Sequence, residues 1–139
     1  MLVSLIITTY NRPDALLLVL KSVETQSLLP YEVIIADDGS NEYTKTLIKK
    51  FSSTTCLKII HSWQKDRGFR VARSRNQAIL KSKGEYLILI DGDMVLHPEF
   101  VKDHIKNAEE GCFVQGGRVL LNEVTTKDAL NSMKIGFSF

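Results

Sequence analysis

The stretch Tyr86-Leu87-Ile88-Leu89-Ile90-Asp91-Gly92-Asp93 constrains this chain more than any other. Residues 86 to 90 are all apolar or aromatic, and the run stops at two carboxylates split by one glycine. A run that short, with no polar face, reads as a strand covered on both sides. In open α/β sheets, ligands sit at the carboxyl ends of the strands. Two carboxylates there are costly neighbours unless something positive sits between them. A hard divalent cation carrying phosphate oxygens on its other positions suits that place. Asp and Gly are also turn formers, so the triplet alone reads equally well as a turn, and the rest of the chain has to decide.

Taken in order, residues Leu2 to Thr8 are β-rich and nearly all apolar and predict a central strand, followed by the loop Thr9-Tyr10-Asn11-Arg12-Pro13. Pro13 suits the first turn of a helix, which the spacing of Leu16, Leu17, Val19, Leu20 and Val23 carries to about Gln26. A second strand is expected over Tyr31–Ala36, ending at Asp37-Asp38-Gly39-Ser40-Asn41, and a helix over Glu42–Phe51. Leu57–His61 reads as a third strand, Gln64–Phe69 as a polar loop, and Val71–Lys81 as a basic helix. Ala72, Ala78, Ile79 and Leu80 are its candidate packed face, with Gly84 as a C-cap. After the Tyr86 strand come a helix from His97-Pro98-Glu99 to about Glu110, a strand over Cys112–Leu121 and a helix over Thr126–Lys134. Strands and helices alternating at this spacing imply an α/β fold, a mostly parallel sheet with helices on both faces and right-handed crossovers.

Three of these strands end in ligand-type residues: Thr8 to Asn11, Asp37 to Ser40, and Asp91 to Asp93. In a parallel sheet all three ends lie along one rim, so the residues should converge on one site. Arg67 and Arg70, beside Gly68 and at a helix start, are candidates for phosphate or base contact. Arg75 and Lys81 read as a solvated basic face, His104 as an exposed helix position, and His97 as a minor candidate near the acidic pair.

Composition narrows the classes. The 139 residues suffice for one domain with a core. A net charge of +2 gives no ground for a nucleic-acid or anionic-membrane partner. Cys56 and Cys112 lie far apart in apolar contexts and are expected as reduced core residues. No apolar run approaches the roughly 18–20 residues of a membrane span, and the first residues lack a secretory signal pattern. The last residues, Lys134-Ile135-Gly136-Phe137-Ser138-Phe139, are apolar without a cap, which leads us to expect further chain beyond them. The phosphate loop G-x-x-x-x-G-K-[ST], a G-x-G-x-x-G after the first strand, and a G-x-S-x-G elbow are not found, nor is any zinc-type Cys/His spacing.

Together, Val3 to Arg12, Asp37-Asp38-Gly39-Ser40, Asn76-Gln77-Ala78 and Asp91-Gly92-Asp93 resemble the inverting family 2 glycosyltransferases of the GT-A (Rossmann-like nucleotide-diphospho-sugar transferase) fold, over residues 2 to about 121. Gly68-Phe69-Arg70 with Arg75-Asn76 further resembles the chondroitin-polymerase type of bacterial transferase. The resemblance implies a nucleotide-diphosphate sugar donor, UDP-linked, and a glycan or lipid-linked acceptor. It places Thr8, Tyr10 and Asn11 at the nucleotide, with Tyr10 offering a stacking face. Asp38 would accept a hydrogen bond from the base and Arg70 would lie near the base or diphosphate. Asp91 and Gly92 would border the nucleotide, Asp91 at the ribose or the metal's water shell, and Asp93 would bind Mg²⁺ or Mn²⁺. The family's catalytic base lies in a later acidic motif. Glu123 and Asp128 are the only carboxylates after Gly117, neither has the matching surroundings, and the catalytic residue stays unknown. Residues 1–139 are therefore expected to form the donor-binding part of a transferase domain without its acceptor-binding part, located in the cytoplasm or peripherally at the inner membrane face. Two rivals differ: a sugar nucleotidyltransferase, which should carry a glycine-rich basic loop after the first strand, and a non-catalytic metal- or nucleotide-binding module.

Overall fold

The structure, a computed structural model, describes residues 1–134 and 136. Its order is β1 (Val3–Thr9), α1 (Pro13–Glu24), β2 (Glu32–Asp37), α2 (Glu42–Ser52), β3 (Ile59–Trp63), α3 (Val71–Lys81), β4 (Tyr86–Asp91), α4 (Phe100–Lys106) and α5 (Glu123–Ser132). The four strands form one parallel sheet in the order β3-β2-β1-β4. β1 and β2, the inner pair, are buried at every position, which is why their sequences run apolar without alternation.

Side chains on the two faces feed separate clusters. On one face Leu5, Ile7, Val33 and Ile35 pack with Leu16, Val19, Leu20 and Val23 of α1 and with Ile48 and Phe51 of α2. On the other, Ile6, Ile34 and Ala36 meet Ala78 and Ile79 of α3. Helices thus cover both faces, as the alternation implied.

Asn41 caps α2 by accepting from the Tyr43 N–H at 3.2 Å, and Pro13 opens α1. The last helix begins earlier than expected because Asn122 caps it, accepting from the Thr125 N–H at 2.8 Å. In α3 the buried positions are Ser74 and Ala78, whereas Ala72 and Leu80 are exposed. Gly84 is not the C-cap. Ser82 ends the helix in an extended conformation, and the Gly84 N–H donates to Ser4 Oγ at 2.9 Å.

Further expectations are corrected. Residues 112–121 form no strand, and Phe113, Val119 and Leu120 there are exposed. Among the described residues their β-rich composition finds no strand to pair with, and a lone strand does not hold. Cys56 and Cys112 are exposed rather than core, since both lie outside the packed elements. His104 is half-buried, not exposed. Its Nδ1 lies 3.1 Å from the Tyr86 hydroxyl and its ring meets Phe100 edge-on at 4.6 Å. The expected apolar stop at residues 134–139 falls mostly outside the described residues.

At the amino-terminal rim, Glu32 is fully buried. It accepts from Ser4 Oγ at 2.8 Å, the Lys83 N–H at 2.6 Å and Lys58 Nζ at 2.8 Å. One carboxylate thereby ties β1, the lead into β3 and the α3–β4 connection together.

Candidate functional site

The register fixes the opposite rim. Thr8 of β1 lies beside Ala36 of β2 and beside Asp91 of β4, and Thr9 lies beside Asp37. Three strand ends therefore finish level. They open into a pocket of about 540 Å³ bordered by Thr8, Thr9, Tyr10, Arg12, Asp38, Gly68, Phe69, Val71, Arg75, Asp91, Gly92 and Asp93.

On the β4 side, Asp91 Oδ1 accepts from Thr8 Oγ1 at 2.9 Å and from the Arg75 guanidinium at 2.7 Å. Arg75, expected on a solvated face, is instead half-buried and borders the pocket. Its helix runs back from this rim, so a residue one turn in still reaches it. Gly92 follows with its Cα against β1: a Cβ there would lie 2.4 Å from the Thr8 carbonyl oxygen. That approach leaves no room for a side chain. Asp93 makes no hydrogen bond to another described residue, and the Arg12 guanidinium acts on it only through space.

On the β2 side, both oxygens of Asp38 are engaged. Oδ1 accepts from Gln64 Nε2 at 2.6 Å and Oδ2 from the Arg70 backbone N–H at 2.7 Å. A carboxylate offers about four lone-pair directions, so Asp38 retains acceptor capacity toward the pocket. Arg70 reaches the site through its backbone. Its guanidinium donates to the Lys65 carbonyl at 3.0 Å, and Arg70 is not among the residues bordering the pocket.

Tyr10 is half exposed and its hydroxyl donates to Asp66 Oδ2 at 2.9 Å, which raises the phenol's pKa. Asn11 sits in a left-handed conformation with φ 49°. Its N–H donates to Ser40 Oγ and its Oδ1 accepts from the Asn41 N–H, so it stitches two loops rather than facing the pocket.

Beneath these groups lies Asp37, fully buried. Burial alone would raise its carboxyl, but His61 at 2.8 Å and Ser40 at 2.8 Å outweigh it and hold the pKa below the ordinary value. Asp37 and His61 are supports for the rim. His97 stands apart from the pocket, its Nδ1 accepting from the Glu99 N–H at 3.3 Å.

Among the described residues no group of three or more His, Cys, Asp or Glu side chains could enclose a metal ion. Three carboxylates border the pocket, and two of them, Asp91 and Asp93, stand together at the end of β4. That suits Mg²⁺ or Mn²⁺, which accept one or two protein carboxylates and take their other ligands from phosphate and water.

The sequence profile of glycosyl transferase family 2 matches residues 4–138. The chain belongs to that family. It is 29% identical to the hyaluronan synthase of Pasteurella multocida over 95% of its own length and 14% of that protein. It is 34% identical to the chondroitin synthase of Escherichia coli over 74% of its length and 15% of that protein. Among solved structures, S. aureus TarS 1-349 in complex with UDP-GlcNAc superposes with a TM-score of 0.64 at 28% identity, covering 76% of this chain and 30% of that one. The family 2 member described here thus spans about a seventh of those two synthases and under a third of the TarS chain, and it carries the α/β arrangement of the GT-A glycosyltransferases.

Proposed function

We propose that this chain supplies the donor site of a metal-dependent, inverting glycosyltransferase. The donor is a nucleotide-diphosphate sugar, UDP-linked, and the acceptor a glycan or a lipid-linked molecule. One observation carries the reading: Thr8, Tyr10, Asp38, Asp91 and Asp93 border a single pocket at the carboxyl ends of three adjacent parallel strands. The UDP-GlcNAc complex of TarS supports the donor class.

In this reading the base lies over Tyr10 and within reach of Asp38, the ribose near Asp91, and the diphosphate toward Asp93. β2 and β4 are separated by β1, so their ends stand about 10 Å apart, a distance matched to a nucleoside and its phosphates. Arg75 and Thr8 hold Asp91 in place before any ligand arrives. Such preorganisation lowers the ordering cost of binding. A bound divalent ion would neutralise the charge that builds on the departing nucleoside diphosphate. Glu123 is paired with Lys127 at 2.6 Å on α5, and neither Glu123 nor Asp128 borders the pocket, so deprotonation of the acceptor is assigned to neither.

Calorimetric titration tests the proposal. UDP should bind with Mn²⁺ present and at least about ten-fold more weakly to Asp93→Ala, the loss of one charge-assisted contact. No heat with Mn²⁺ and UDP, or equal binding by Asp93→Ala, overturns it.

A further inference from the structure

Phe69 is 89% exposed, yet it sits on a loop that is fastened from several directions. The Gln64 N–H donates to the Asp37 carbonyl at 3.1 Å, and its side chain donates to Asp38. The Arg70 N–H closes the other end on Asp38, and Tyr10 holds Asp66 between them. Gly68, at φ 81°, makes the turn that places Phe69 at the mouth of the pocket. A large apolar ring left in water contributes nothing to folding, and here ordered backbone holds it against the pocket. That arrangement calls for a ligand surface to cover it.

Position selects which surface. Phe69 lies on the loop after β3, and Tyr10 leans toward that loop through Asp66. Asp91 at the end of β4, Asp93 just after it and Arg75 on the preceding helix border the far side. The charged end of a ligand belongs there, and its flat uncharged end beside the two aromatic rings. We propose that Phe69 is a base-contacting residue, a second aromatic wall with Tyr10 for the nucleobase of the donor. The inference rests on the nucleotide reading above. It adds that the 64–70 loop, and not the β1 loop alone, determines how tightly the base is held.

The test compares UDP with inorganic pyrophosphate, both with Mn²⁺, on the whole chain. Phe69→Ala should weaken UDP about ten-fold, the value of one stacked base, and leave pyrophosphate unchanged. Phe69→Trp, which keeps a stacking face, should retain UDP binding, and its added indole emission should respond to UDP but not to pyrophosphate. UDP affinity kept in full by Phe69→Ala, or pyrophosphate weakened equally, overturns this inference while the donor site stands. Failure of the unaltered chain to bind UDP overturns both.

Discussion

At the amino-terminal rim of the sheet, Glu32 is buried and every partner it needs is protein: Ser4, Lys58 and the Lys83 backbone. At the carboxyl rim, Asp91 is half-buried and shares its oxygen with Thr8 and Arg75, and Asp93 has no hydrogen-bond partner among the described residues. The same kind of group, on the same sheet, is closed at one end and open at the other. A saturated buried carboxylate is a fastening. One left short of partners beside a pocket is a receptor. What separates them is whether the chain itself completes the coordination.

The largest expected effect tests the closed end. Glu32→Ala leaves the Lys83 N–H and the Ser4 hydroxyl without their acceptor and should cost about 3 kcal/mol in urea denaturation. UDP affinity of the folded molecules should not change. A matching loss of affinity would erase the distinction between the rims. In the unaltered chain the same contribution should vanish in acid. Burial would raise the Glu32 carboxyl, but Lys58, Lys83 and Ser4 hold it below its ordinary 4.5. A carboxyl depressed on folding stabilises above that ordinary value and loses its contribution as pH falls below it.

Next comes Gly92→Ala, at the open end. The added methyl meets the Thr8 carbonyl oxygen, part of the backbone, and should cost about 2 kcal/mol. Here UDP binding should fall with stability, because β1 and the Asp91–Asp93 turn must part. A smaller effect is expected from Arg75→Ala. Its pair with Asp91 is half exposed, so thermal unfolding should shift by under about 1 kcal/mol. UDP affinity should nonetheless drop about ten-fold, as Asp91 loses a charge-assisted bond that orients it. A variant less stable but binding normally would make Arg75 a fastening too.

The smallest effect comes from α4, whose His104 meets Tyr86 at the start of β4. Burial holds the His104 imidazole below its ordinary 6.5. The fold therefore favours the neutral ring, and stability should decline as pH falls through 6.5. His104→Gln should flatten that slope by less than about 1 kcal/mol, since the ring is partly solvated and screened.

Much of the rim was readable in the sequence because a buried parallel strand leaves an unambiguous trace. Ile88 to Asp91 and Ile34 to Asp38 each pass from apolar to acidic within a few residues, and in a parallel sheet such transitions must share an edge. Arg75 was not readable in that way. Its partner Asp91 is 16 residues away on another element, and its own helix shows only a basic surface. The stripe Val71, Arg75, Ala78 was the available signal, since it places an arginine in line with a packed alanine. The 112–121 segment misled because composition records what a residue prefers, not whether a neighbour exists to pair with. Cys56 and Cys112 misled similarly, since apolar sequence neighbours do not make a buried site.

β4 pairs with β1 alone among the described residues, whereas β1 and β2 each have strands on both sides. Asp91 is thus carried by an edge strand, whereas Thr8, Tyr10 and Asp38 lie at the ends of doubly paired ones. A local opening of β4, which needs only one ladder of backbone bonds to yield, would dissolve the anionic wall and spare Tyr10 and Asp38, at the ends of β1 and β2. Hydrogen exchange would then run faster through residues 87–91 than through 4–8, and a ligand gripping both walls would slow the first far more than the second.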